Sequence, residues 1–372
     1  MGIDISNNSL TPDEKISLFR SFFRGRKEVY PRRFENRKSG KTGYAPVCSN
    51  EWVRGICAKP KIKCSECAHR AFLPVTDDVI RWHLSGVDNR GIDFVMGVYP
   101  MLLDEKCFFL AADFDKASWQ EDALAFFKTC RQMNLPAAIE RSRSGKGAHV
   151  WLFFETAIPA ALARKLGTHI LTETMESRPD IGFDSYDRFF PNQDTLPKGG
   201  FGNLVALPLQ KKARGLKNSV FVDDHLVAYE DQWAFLSSMQ KISLLEVEKI
   251  VREAKAKDRI IGVKLDIPDE DETSPWKMSL SRQRSPIIGP MPSTLEIIIS
   301  NEIYIPKEPL SPSLRNRFLP LAAFQNPEFY RSQAMRLPIY DKPRIIACAR
   351  DYPHHIGLPR GVLKIYVKYL QI

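Results

Sequence analysis

Three short stretches hold residues whose types and spacing suit phosphate chemistry. Asp113 and Asp115 lie in the run 109–115, Phe-Leu-Ala-Ala-Asp-Phe-Asp. Ser142, Ser144, Lys146 and His149 lie in Arg-Ser-Arg-Ser-Gly-Lys-Gly-Ala-His, residues 141–149. Asp194 closes Asn-Gln-Asp, ahead of the apolar run Leu-Val-Ala-Leu-Pro-Leu at 204–209. The apolar run 108–112 predicts a buried strand, in which residues i and i+2 share a face. That places the two carboxylates roughly 6.6 Å apart, where they repel unless a cation lies between them. Two divalent ions about 3.5–4 Å apart fit that role and clamp both ends of an in-line displacement. Hard carboxylate oxygens favour magnesium or manganese. Alone, an Asp-x-Asp also fits a strand end with two solvated acids.

The basic loop stands between two apolar runs, 137–139 and 150–154. Its glycines permit a tight turn and close backbone approach. Successive N–H groups, serine hydroxyls and Lys146 suit a triphosphate, with His149 opening the next strand. The plainer alternative is a hairpin turn with solvated cations. It is not a Walker A loop, since no Gly-Lys-Ser/Thr ending is present. Gly-Lys-Thr at 40–42 also fails, because Glu35 stands where that loop needs glycine.

A third group is Cys48, Cys57, Cys64 and Cys67, spaced C-x8-C-x6-C-x2-C, with His69 as a substitute ligand. Four thiolates with a closing Cys-x-x-Cys suit a structural zinc ion. The alternative is a set of free cysteines. Cys107, Cys130 and Cys348 read as buried free thiols.

In this order, Asp-Phe-Asp, Ser-Gly-Lys-Gly-x-His and a further Asp before an apolar strand resemble the archaeo-eukaryotic primase superfamily. Within it the chain is similar to the primase module of the TOTE conflict systems and to CRISPR-associated primase-polymerases. Ser-Tyr-Asp-Arg-Phe-Phe-Pro-Asn-Gln-Asp at 185–194 and Lys-Gly-Gly-Phe-Gly-Asn-Leu-Val-Ala-Leu-Pro-Leu-Gln at 198–210 carry the likeness, which runs from about Cys48 to the end.

The resemblance implies an α+β fold of the archaeo-eukaryotic primase type. Its sheet would be mostly antiparallel and of RNA-recognition-motif type, with an N-terminal helical and zinc-binding segment. It implies a template-dependent nucleotidyltransferase, a DNA primase-polymerase, using two Mg2+ or Mn2+ ions. Asp113, Asp115 and Asp194 would be the metal ligands, with Asp187 and Asp184 competing for the third place. His149, Ser142, Ser144, Lys146 and Lys198 would hold the nucleotide triphosphate, with the family's serine role open between 142 and 144. The same four cysteines recur in the resembling primases, which supports structural Zn2+. Single-stranded DNA template and nucleoside triphosphates would be the partners, with a helicase or nuclease of the same system beside them. Two alternatives stand: a catalytically silent zinc-containing module that binds single strands, and a metal-dependent nuclease.

The elements that must position these groups are legible in outline. Thr-Pro-Asp-Glu at 11–14 is a capping box, predicting a helix to about Arg24 with Leu18, Phe19, Phe22 and Phe23 inward. A helix from Thr76 to about Leu84 carries His83 as a packed or capping group. Ser-Trp-Gln-Glu at 118–121 reads as a second capping box, followed by Ala123, Phe126, Phe127, Cys130 and Met133 at helical spacing. Further helices are expected over 159–176 and 244–257.

The domain reading is residues 1–98 as the helical and zinc-binding segment and 99–257 as the catalytic module. Residues 258–290 form a linker rich in charge, Ser and Pro. Residues 291–372 resemble the start of a following helicase part, so the chain reads as a fragment or as one part of a split system.

Charge is uneven along the 372 residues, whose formal net charge is +10. Residues 1–70 hold 15 Lys/Arg against 7 Asp/Glu, and 281–372 hold 13 against 6. Residues 71–280 hold 26 against 31. Basic flanks suit a phosphate backbone and an acidic middle suits metal. Arg24, Arg26, Lys27, Arg32, Arg33, Arg37 and Lys38 alternate with Tyr30 and Phe34, which fits either a single-strand surface or a solvated face over core aromatics. No apolar run is long enough to span a bilayer and the first residues are no secretory signal, so a cytoplasmic chain is expected.

Overall fold

In the computed structural model, the described residues are 10–36, 39–178, 188–256, 292, 294–311, 314–315, 318–339 and 341–363. The chain divides into two compact units, Met1–Gly167 with Arg188–Glu248, and Thr168–Asp187 with Lys249–Ile372. The expected linker, 258–290, lies outside the described residues.

The first unit opens with α1 (Pro12–Phe22). Its capping box forms as expected: Thr11 accepts from the Glu14 N–H, and Glu14 accepts from the Thr11 N–H at 2.7 Å. The hairpin β1 (Pro31–Glu35) and β2 (Thr42–Pro46) follows. Next come α2 (Asp77–Ser85), capped by Thr76, and the short β3 (Gly97–Val98). β4 (Lys106–Phe114), α3 (Trp119–Gln132), β5 (Ala138–Arg141), β6 (Ala148–Pro159) and α4 (Ala160–Ser177) form the central stretch. After them come β7 (Phe189–Phe190), β8 (Val205–Ala206), α5 (Lys211–Arg214), β9 (Val220–Val222), α6 (Gln232–Ser238) and α7 (Leu244–Ala256). The Ser118 box does not form. Ser118 makes no cap hydrogen bond and donates to Asp122 at 2.7 Å instead.

Five strands make one sheet in the order β7-β4-β6-β5-β9, every pairing antiparallel. Alternation along the strands gives it two different faces. On one, Phe109, Ala111, Trp151, Phe153 and Phe221 are fully buried. The aromatic end of α1 covers them, with Phe22 4.9 Å from Phe153 and Phe23 5.1 Å from Trp151, both edge-on. On the other, Phe114 packs on Phe126 of α3. Gly167 of α4 lies so close to Leu110 and Phe189 that a Cβ there would stand 2.6 Å from the leucine. α3 buries Ala123, Phe126 and Cys130 as its helical spacing implies, while Phe127 stays half-exposed.

The second unit has its own core of Ile303, Ile305, Leu310, Phe318, Ile356 and Leu358. Around it stand a four-stranded antiparallel sheet and a helix, Pro327–Ala334, capped by Asn326. Among the described residues no helix is long and apolar enough to cross a membrane.

Candidate active site

The register of the sheet builds the site. Asp113 pairs with His149, and His149 pairs with Glu140 on its other side. The Asp113 N–H donates to the Arg188 carbonyl at 3.0 Å. Directly paired residues point to the same face. So Arg188, Asp113, His149 and Glu140 form one row across four strands, next to the apolar row of Phe190, Ala111, Trp151 and Ala138.

Asp113 is the penultimate residue of β4 and is 26% exposed, while Asp115 lies just past the strand end and is 57% exposed. Phe114 between them is buried, so the two acids share the open side as the spacing implies. Asp115 is ion-paired with Arg188. His149 Nε2 is 3.8 Å from Asp113 Oδ1, and its Nδ1 hydrogen-bonds Glu140 Oε2 at 2.6 Å. Glu140 is 2% exposed, so its carboxylate depends on that partner. Burial opposes a charge on His149, but Glu140 and then Asp113 more than offset it and raise its pKa above the ordinary value. Nδ1 thus faces Glu140 and Nε2 faces Asp113.

The basic loop is the tip of the β5–β6 hairpin. Arg141 pairs with Ala148, and the Ser142 N–H donates to the Gly147 carbonyl at 2.9 Å. The hydroxyls of Ser142 and Ser144 lie 3.1 Å apart, and Ser144 accepts from the Lys146 N–H at 3.1 Å. Gly145 has φ +73°, a conformation glycine adopts without strain. A Cβ on Gly147 would stand 2.7 Å from the Phe114 carbonyl. The tip thus lies against the chain between Asp113 and Asp115. Ser144 and Lys146 are exposed.

Asp194 is placed differently. β7 pairs Phe189 with Ala112 and Phe190 with Ala111, so the chain beyond Phe190 runs away from the Asp113 end of β4. There Asp194 accepts from Arg164 at 2.7 Å, and that arginine is 1% exposed. Asp184 and Asp187 lie outside the described residues. Lys198 is exposed in a turn closed by Gly200 N–H to the Pro197 carbonyl at 2.8 Å. Among the described residues, no three His, Cys, Asp or Glu side chains are gathered as a metal-holding group. Cys48, Cys57, Cys64, Cys67 and His69 do line one small cavity of about 20 Å³, with Glu51 and Lys59. Lys59 pairs with Glu51 at 2.7 Å.

Sequence reasoning missed Glu140, Arg188 and Arg164. The first had a signal: once 142–147 is a hairpin tip, position 140 must pair with 149. His83 is a packed group, fully buried, with Nε2 2.8 Å from the Pro208 carbonyl and Nδ1 accepting from the Met96 N–H.

A search of curated proteins finds no match. The family model of the archaeo-eukaryotic primase domain of the TOTE conflict system matches residues 14–250, which include Asp113, Asp115, the basic loop and Asp194. The chain therefore belongs to the archaeo-eukaryotic primase domain family of the TOTE conflict system, a family of primase-type nucleotidyl transfer.

Proposed function

We propose that this chain is a template-dependent DNA primase-polymerase. The single observation that carries the reading is the row of Asp113 and His149 beside the hairpin tip, with Asp115 at the strand end. Hard carboxylate oxygens, an imidazole and the serine hydroxyls and lysine of the tip stand close together there, which supports the reading.

The donor chemistry of Asp113 and Asp115 fits Mg2+ or Mn2+. Two such ions supply charge neutralisation and activation of an attacking hydroxyl in phosphoryl transfer. The third acid of the proposal is Asp194. Since its carboxylate is turned to Arg164, the reading requires it to exchange that partner for the metal.

The chain's own groups have distinct tasks. Ser142, Ser144 and the N–H groups of the tip bind the triphosphate, with Lys146 and Lys198 as cations. His149, oriented by Glu140, donates from Nε2 to a phosphate oxygen. Arg188 ion-pairs with Asp115. The all-antiparallel sheet, with α3 and α4 packed on the face opposite the catalytic row, supports an RNA-recognition-motif type of arrangement to which α1 is added on the other face, and the four cysteines around one cavity support a structural zinc site. Single-stranded DNA and nucleoside triphosphates are the proposed partners.

The test is incorporation of labelled nucleotides on single-stranded DNA, with and without a primer, in magnesium or manganese. Products that vanish with Asp113→Ala establish the polymerase, and products without a primer make it a primase. If Asp113→Ala incorporates like the parent, the assignment is wrong.

A further inference from the structure

The first unit holds a cavity of about 320 Å³ lined by none of the residues of the catalytic row. Its walls are apolar, including Phe19, Phe23, Met96 and Leu207, and its rim carries Arg20, Arg24, Arg26 and Lys27. An adjoining hollow of about 430 Å³ shares Arg20 and Arg24 and adds Lys241, with Asp13 and Asp77 also on its wall. Both volumes lie in the range of small-ligand sites.

The acids nearby are already engaged. Asp77 pairs with Arg20, Asp13 with Arg81, and Glu28 with Arg26 Nε. Among the described residues, Arg24, Lys27 and Lys241 have no carboxylate partner. Arg24 stacks 3.5 Å above the Phe108 ring, and Lys241 sits 4.5 Å from the Phe22 ring while donating to the Ser21 carbonyl. Arg26 has a 9% exposed side chain and lines the cavity with its Nη1 unpartnered. Half-buried cations facing one another are costly when the nearest carboxylates are paired to other groups. Burial lowers the pKa of Arg24, and burial followed by Arg24 lowers that of Lys241.

We propose that this cavity and its cationic rim take one nucleotide unit of a single-stranded nucleic acid, outside the catalytic row. The phosphate lies between Arg24 and Lys241 and satisfies Arg26, while the base enters the apolar cavity. A flat, partly apolar base joined to an anion matches the two halves of the site. The choice of ligand rests on the proposed function.

The experiment uses the full chain and a fluorescent thymidine 20-mer, without metal or nucleotides, at several salt concentrations. Arg24→Gln/Lys241→Gln is expected to weaken binding about tenfold near 0.1 M salt and to reduce the salt slope by about 0.7 per lost phosphate contact. In the parent, photocrosslinking with a 4-thiothymidine strand should label the peptide spanning residues 19–27, a readout independent of how the double variant folds. An unchanged slope in a folded double variant, or crosslinks only elsewhere, overturns the site. So does labelling of that peptide by free thymidine nucleotide but not by the strand. A chain that crosslinks there yet incorporates nothing sinks the polymerase reading and leaves this site standing.

Discussion

Asp113 and Glu140 flank His149 in the same row but are expected to behave differently on substitution. Asp113→Asn removes a charge from a partly exposed carboxylate and leaves the strand intact. Incorporation should fall at least about 100-fold, with the thermal midpoint within a few degrees of the parent. A variant retaining parental rates would remove Asp113 from the chemistry. Glu140 touches His149 alone of the proposed groups, so it acts by positioning. Glu140→Ala frees the imidazole to rotate, and loss of a charge-assisted hydrogen bond worth roughly 1.5–3 kcal/mol should raise KM for nucleotide about 10-fold or more. Glu140→Gln retains an acceptor for Nδ1–H and should recover most of that loss. Equal kinetics for the alanine and glutamine variants would show that the contact is only structural.

The hairpin of β5 and β6 is the element on which the site depends, and Gly147 is its tightest point. A Cβ there meets a backbone carbonyl at 2.7 Å, which cannot rotate away. Gly147→Ala should cost about 1–3 kcal/mol and raise KM for nucleotide, measured by denaturation and by incorporation kinetics. Much of this element was legible in the sequence. The apolar runs marked the strands, the Ser-Gly-Lys-Gly stretch marked the tip, and the α1 cap followed from four residues. Local patterns have immediate neighbours as their cause. The Ser118 box failed because a serine hydroxyl chooses between partners, and Asp122 was within reach. The place of Asp194 was illegible because it depends on the pairing of β7 with β4 and on Arg164, thirty positions away in sequence. The cysteine segment is the second element open to test. If it holds zinc, elemental analysis should find one zinc per chain, and chelation should increase amide exchange across residues 48–72. A metal-free chain with the same exchange would return these residues to free thiols.

At the scale of the whole molecule, charge and acid stability separate cleanly. The site lies in the acidic middle of the sequence and the unpartnered rim cations lie mainly in the basic N-terminal flank, so metal and strand need not compete for the same groups. Stability should carry one specific acid-sensitive term, from His83. Its ring is fully buried against Phe19, between the Pro208 carbonyl and the Met96 N–H. Burial first, and Arg214 after it, push its pKa down to about 4 from an ordinary 6.5. The unfolded chain thus takes up this proton first as pH falls. The associated stability is complete above pH 6.5 and is lost progressively toward pH 4, on the order of 3 kcal/mol in all and about 2 kcal/mol by pH 5. Other groups act in different windows. The lowered carboxyls of Glu14, Asp88 and Glu246 lose their contribution only as pH falls below their ordinary values. The raised pKa of His149 makes its contribution constant below 6.5 and lost only as pH rises above that. The difference between the parent and His83→Gln in denaturant unfolding at pH 7 and pH 5 therefore isolates His83, because the His149 contribution is common to both. Across this interval the parent should lose about 2 kcal/mol more stability than His83→Gln, which is less stable at pH 7. An equally steep loss in the glutamine variant would assign the acid sensitivity to other groups.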